Sequence, residues 1–118
     1  MMLSLPASVR IWLATEATDL RKSFDTLAEL VRQQLQADPL SGQLFVFRNK
    51  RADRIKLLYW DDDGFVIVYK RLEAGTFRFP TADTAGVEVR AADLQMLLDG
   101  VDFQKVKRAS RYQRPVPA

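Results

Sequence analysis

From Leu20 onward the apolar residues fall at Leu20, Phe24, Leu27, Val31 and Leu35, a recurrence that sets all five on one face of a helix. Thr18 or Asp19 is the expected N-cap, and Asp38-Pro39 marks the stop, because proline disfavours helical backbone in the residue before it. Ahead of the helix, Val9-Arg10-Ile11-Trp12-Leu13 carries the alternation of a half-buried strand. After the Leu40-Ser41-Gly42 turn come four strand candidates: Leu44 to Arg48, Ile55 to Trp60, Phe65 to Arg71 and Thr76 to Phe79. The links between them are too short for helical crossovers and suit hairpins, so an antiparallel meander is expected. Leu44-Phe45-Val46-Phe47 and Phe65-Val66-Ile67-Val68-Tyr69 barely alternate, which predicts cover on both sheet faces. The first helix supplies one cover. The other falls to Ala91 to Asp99, a second helix with Leu94, Leu97 and Leu98 inward and Gly100 at its end. Val87-Glu88-Val89 is a candidate fifth strand.

The expected architecture is therefore α+β: an antiparallel β-meander of four to five strands with a helix on each side, a single domain over 1–104, then a basic, flexible C-terminal tail over 105–118. A chain of 118 residues with 47% hydrophobic and 28% charged residues has the composition of one self-sufficient globular domain. It contains no cysteine and no histidine, which excludes disulfides, thiol nucleophiles, Ser-His triads and the usual zinc sites. The longest apolar run, Phe65 to Tyr69, has five residues, far below the ~20 a membrane span needs, and the N-terminus lacks the pattern of a signal peptide. A cytoplasmic protein without a membrane partner is expected.

Charge changes the picture once it is located. Arg48, Lys50, Arg51, Arg54 and Lys56 cluster around a single acid, Asp53, and Lys105, Lys107, Arg108, Arg111 and Arg114 form a second patch with none. The remaining chain holds eight bases against fourteen acids, so an acidic body carries two basic patches. Such asymmetry points to a polyanionic partner. The loop Arg48 to Arg54 suits phosphate gripping from a hairpin tip, with Asp53 expected to orient Arg51 or Arg54 through a carboxylate fork. The plainer alternative is a charged tip that keeps the sheet soluble. Trp12, Tyr59 and Trp60 are candidates for base stacking, although aromatics within strands more often belong to the core. Asp61-Asp62-Asp63 has ligand types that suit magnesium, yet the run precedes Gly64 between two strands and reads more simply as a turn. No catalytic residue, metal site or cofactor is expected.

Several longer phrases resemble one family. Val9-Arg10-Ile11-Trp12-Leu13-Ala14, Thr18-Asp19-Leu20-Arg21-Lys22-Ser23-Phe24-Asp25 and Asp38-Pro39-Leu40-Ser41-Gly42-Gln43-Leu44-Phe45-Val46-Phe47-Arg48 are similar to the TnpB-type, second-reading-frame accessory protein of the insertion-sequence-sixty-six family. So are Arg54-Ile55-Lys56-Leu57-Leu58-Tyr59-Trp60-Asp61, Tyr69-Lys70-Arg71-Leu72-Glu73 and Leu97-Leu98-Asp99-Gly100-Val101-Asp102. The resemblance runs from about Val9 to Phe103. It implies a helper of transposition that works beside a transposase and another small helper protein, and it brings no catalytic residue. Non-enzymatic binding of the transposase complex and of transposon DNA is the resulting expectation. A metal-dependent nuclease or strand-processing enzyme using Asp61 to Asp63 is one alternative, and a pure protein adaptor that never touches DNA is the other.

Overall fold

Three of the apolar runs become consecutive strands, β2 (Leu44–Arg48), β3 (Arg54–Asp61) and β4 (Gly64–Arg71), paired antiparallel as hairpin neighbours. The computed structural model describes residues 8–105. β1 (Ile11–Ala14) lies parallel to β2, and β5 (Gly86–Val89) pairs antiparallel with β1, which gives the strand order β4-β3-β2-β1-β5. The sheet is therefore mixed and not a pure antiparallel meander. The parallel step exists because β1 and β2 are joined through the helix α1 (Phe24–Gln33), and parallel neighbours need a long crossover.

Thr76 to Phe79 does not form the fourth meander strand. Gly75 takes a left-handed φ of 79° and turns the chain away from the β4 edge. Phe77 is then buried in the core, and its backbone N–H donates to the Ala52 carbonyl at 2.6 Å. Burying that ring against the sheet outweighs extending the ladder by a segment that Pro80 would end.

The helix α1 is shorter than its periodicity. Ser23 is its N-cap, and its backbone N–H donates to the Thr26 hydroxyl at 2.9 Å, so neither Thr18 nor Asp19 caps it. Leu20 and Leu35 flank the helix and still pack with its buried face, whereas Phe24 is 45% exposed. The second helix, α2 (Ala91–Leu98), turns Leu94, Leu97 and Leu98 inward, and Gly100 follows it with φ 76°.

Alternation along the strands separates two apolar clusters. Ile11, Leu13, Leu44, Val46, Ile55 and Leu57 meet α2, and Ala14, Phe45, Phe47 and Leu58 meet Leu27, Ala28 and Val31 of α1. Four successive residues of β2 are buried, as a central strand shielded on both faces requires. Among the described residues no helix is long and apolar enough to cross a membrane.

Candidate functional site

The loop between β2 and β3 is built around Asn49. Its side-chain N–H donates to Asp53 Oδ1 at 2.6 Å while its own Oδ1 accepts the backbone N–H of Arg54 at 3.0 Å. Its carbonyl accepts from Ala52, which sits at φ 58°, in the left-handed region non-glycine residues seldom visit. The outer chain fastens this turn. Leu72 donates to the Asp53 carbonyl at 2.8 Å, and Phe77 donates to that of Ala52. The expected carboxylate fork to Arg51 or Arg54 is absent among the described residues, because the short Asp53 side chain meets the nearer Asn49 amide first. That hydrogen bond, above all, holds the Asp53 carboxyl below its ordinary range, aided by the charges of Arg51 and Arg54.

The five bases assigned to the loop divide by direction. Lys50, Arg51 and Arg54 are exposed. Lys56 is buried: its ammonium donates to the Lys22 carbonyl at 2.8 Å and lies 5.0 Å from the centre of the Tyr69 ring. Arg48 is half-buried, donating to the Thr15 carbonyl at 2.8 Å and resting over Phe79 at 5.6 Å. Lys56 lies on the α1 face of the sheet and Arg48 on the α2 face, where they brace the loop's base, and Lys50, Arg51 and Arg54 are the exposed bases. Of the second patch, Lys105 is exposed, while Lys107, Arg108, Arg111 and Arg114 lie outside the described residues.

Folding brings to this loop residues of the family-like phrases that belong to neither basic patch, Arg21, Tyr69 and Arg71. The Thr18-to-Arg21 turn is held against β2 by the Thr18 N–H, which donates to the Arg48 carbonyl at 2.8 Å. It forms one wall of an open concavity of about 300 Å³, with Arg51 and Arg54 on the other and Tyr69 at the side. Arg54 reaches the Tyr69 hydroxyl at 3.4 Å. Arg71 flanks the same side but pairs with Glu73 at 2.7 Å, and Arg21 pairs with Asp19 at 2.7 Å. Lys50 and Arg51 make no hydrogen bond or ion pair with the described residues, so their charge is available outward.

The Arg21 guanidinium donates twice to Asp19 and the Arg21 backbone N–H once more, which lowers the Asp19 carboxyl to about 2. A carboxyl lowered on folding adds stability above its unfolded value and loses it as pH falls through the folded one. Arg21→Gln is therefore expected to return Asp19 toward the ordinary carboxylate range. An NMR titration of the side-chain carboxyl checks this, and an unmoved Asp19 would mean that Arg21 is not its main partner.

The acidic run is a hairpin tip. Asp61 pairs with Gly64 across it, and Asp62 takes φ 55°, which aspartate tolerates. Among the described residues, no three carboxylates come together to hold a metal ion. Trp12 and Trp60 are engaged within the protein: the Trp12 indole donates to Gln43 at 2.8 Å, and Trp60 meets Phe65 edge-to-face at 5.1 Å.

The family described as IS66 Orf2 like protein matches residues 9–108. Two similar relatives come from Sinorhizobium fredii (strain NBRC 101917 / NGR234). The uncharacterized protein y4jC is 37% identical over 107 residues, 91% of this chain and 92% of that one. The uncharacterized protein y4hO is 38% identical over 103 residues, covering 87% and 90%. No solved structure matches the chain.

Proposed function

Because the chain belongs to the IS66 Orf2-like family, we propose that it is a non-enzymatic accessory protein for transposition of a bacterial insertion sequence, one that works in the cytoplasm within a transposase complex and contacts transposon DNA. The observation that carries the DNA reading is the pinned loop: Lys50 and Arg51 project beside Arg54 without a hydrogen-bond or ion-pair partner among the described residues, from a turn whose backbone is tied at Asn49, Ala52 and Asp53. A cation fixed in place loses less entropy on gripping phosphate than one on a free chain, and it can hold a directional contact. Lys105, with Lys107, Arg108, Arg111 and Arg114, supplies a second, sequence-independent attraction through counterion release.

The test is a titration of labelled duplexes carrying the element's end or its scrambled sequence, at several salt concentrations. Arg51→Ala with Arg54→Ala is expected to weaken binding, to reduce any preference for the element's end, and to flatten the salt slope by about 0.9 for each phosphate that is no longer neutralised. Glutamine at Lys107, Arg108, Arg111 and Arg114 is expected to weaken both duplexes equally. Wild-type protein that binds neither duplex at low salt, yet associates with the transposase, would replace this reading with that of a protein adaptor.

A further inference from the structure

The sheet has two free edges among the described residues, and they differ. β5 is a four-residue strand whose Glu88 is paired with Arg10, a short and charged edge of the kind that resists pairing. β4 is eight residues long and carries Phe65, Val66, Ile67 and Val68 in succession, with no proline or central charge, and no described strand lies on its outer side. Such an edge offers a row of backbone donors and acceptors to another strand.

We infer that this edge pairs with its own copy, joining two molecules through antiparallel β4 strands into one continuous sheet. The charge pattern selects that occupant. β4 begins at the Asp62-Asp63 turn and ends with Lys70 and Arg71, so a strand running the opposite way presents bases to acids at both ends. A two-fold axis normal to the sheet requires one residue to face its own copy, because hydrogen-bonded and non-bonded pairs alternate along the ladder. With Ile67 at the axis, Val66 faces Val68, Phe65 faces Tyr69, and Asp63 faces Arg71, each pair on a common face. Tyr69 is 50% exposed and, among the described residues, Arg71 pairs only with the exposed Glu73, so both can take part without opening the core. Centred at Val66 the register sets Asp63 against Tyr69 and leaves Gly64 facing Val68, centred at Val68 it sets Phe65 against Arg71, and centred at Phe65 it sets Asp63 against Ile67. Ile67 is the best centre.

The test measures the oligomeric state of the full chain by sedimentation equilibrium over a concentration series, with circular dichroism confirming that each variant is folded. Wild type is expected to reach twice the monomer mass. Asp63→Arg alone and Arg71→Asp alone each turn two attractive contacts into repulsive ones and should weaken association roughly tenfold or more. Asp63→Arg combined with Arg71→Asp restores opposite charges and should restore the dimer. Val66→Lys, at a position that packs with neither core cluster, should also give monomers that melt like the wild type. Wild type that stays monomeric at its highest soluble concentration overturns the inference. That holds also if its β4 amides exchange slowly, since the chain's own 106–118 segment or a different partner would then be the better occupant. A dimer unaffected by all of these changes overturns it too, by placing the interface elsewhere. None of these outcomes depends on DNA binding.

Discussion

Replacing Phe47 with alanine is expected to destabilise the protein by about 3–5 kcal/mol. The ring is fully buried in the central strand β2, in the cluster that α1 closes. Its neighbours Phe45 and Leu58 are held by the backbone ladder, so they cannot move far enough to fill the space it leaves. The useful control is Phe24→Ala. Phe24 belongs to the same helical pattern of apolar positions as the core residues of α1, but 45% of it is exposed, and its removal should cost under about 1 kcal/mol. Urea unfolding with an unchanged slope separates the two cases through their midpoints. A small loss at Phe47 together with a large one at Phe24 would mean that α1 presents a different face to the sheet.

Asn49→Ala is the second change with a large expected effect, at about 1–3 kcal/mol. It removes the donor to Asp53 and the acceptor for the Arg54 N–H together, so the carboxylate loses its main hydrogen bond and the backbone donor its side-chain acceptor. The damage should spread outward. Ala52 at φ 58° persists only while the surrounding bonds hold it, and its carbonyl is the acceptor for Phe77. Faster hydrogen exchange at Leu72 and Phe77 would report that spread, because their acceptors sit in the loop. The Asp53 carboxyl should rise toward its ordinary value as its main hydrogen bond disappears. Asn49→Asp sharpens the reading. It retains an acceptor for Arg54 but sets a second negative charge against Asp53, so its loss should be greater at neutral pH and shrink as acid protonates one of the pair. Equal exchange rates in wild type and Asn49→Ala would show that the outer chain holds the loop without Asn49.

The hairpins β2-β3-β4 were legible because each apolar run ends in residues that turn readily, and because short links leave few alternatives. The helix was legible as a face and not as a span: Leu20 and Leu35 cover the same apolar surface as Leu27 and Val31 without belonging to the helical hydrogen-bond ladder. The place of β1 beside β2 was hidden, since a strand's neighbour is a non-local choice that its own residues do not encode. Phe77 and Phe79 looked like one side of a strand, when Phe77 instead enters the core beneath the sheet. At the candidate site, charge could be read but direction could not. Lys56 and Arg48 stand in a basic run yet lie against the two covered faces of the sheet, while Arg21 enters from a distant turn. Asn49 carried no sequence signal, because an amide acts as a hub only once the loop surrounds it.

The place of β1 between β2 and β5 sets the order in which the sheet can be completed during synthesis. Of the five strands β1 is made before the others, gains β2 only after α1 has emerged, and waits for β5 to cover its other side. Until Gly86 to Val89 are made, the β5-facing side of Ile11 to Ala14 has no strand to pair with and is an open backbone edge on which a neighbouring nascent chain can pair. The last short strand thus closes the β1 edge, whereas that of β4 stays open among the described residues of the finished sheet.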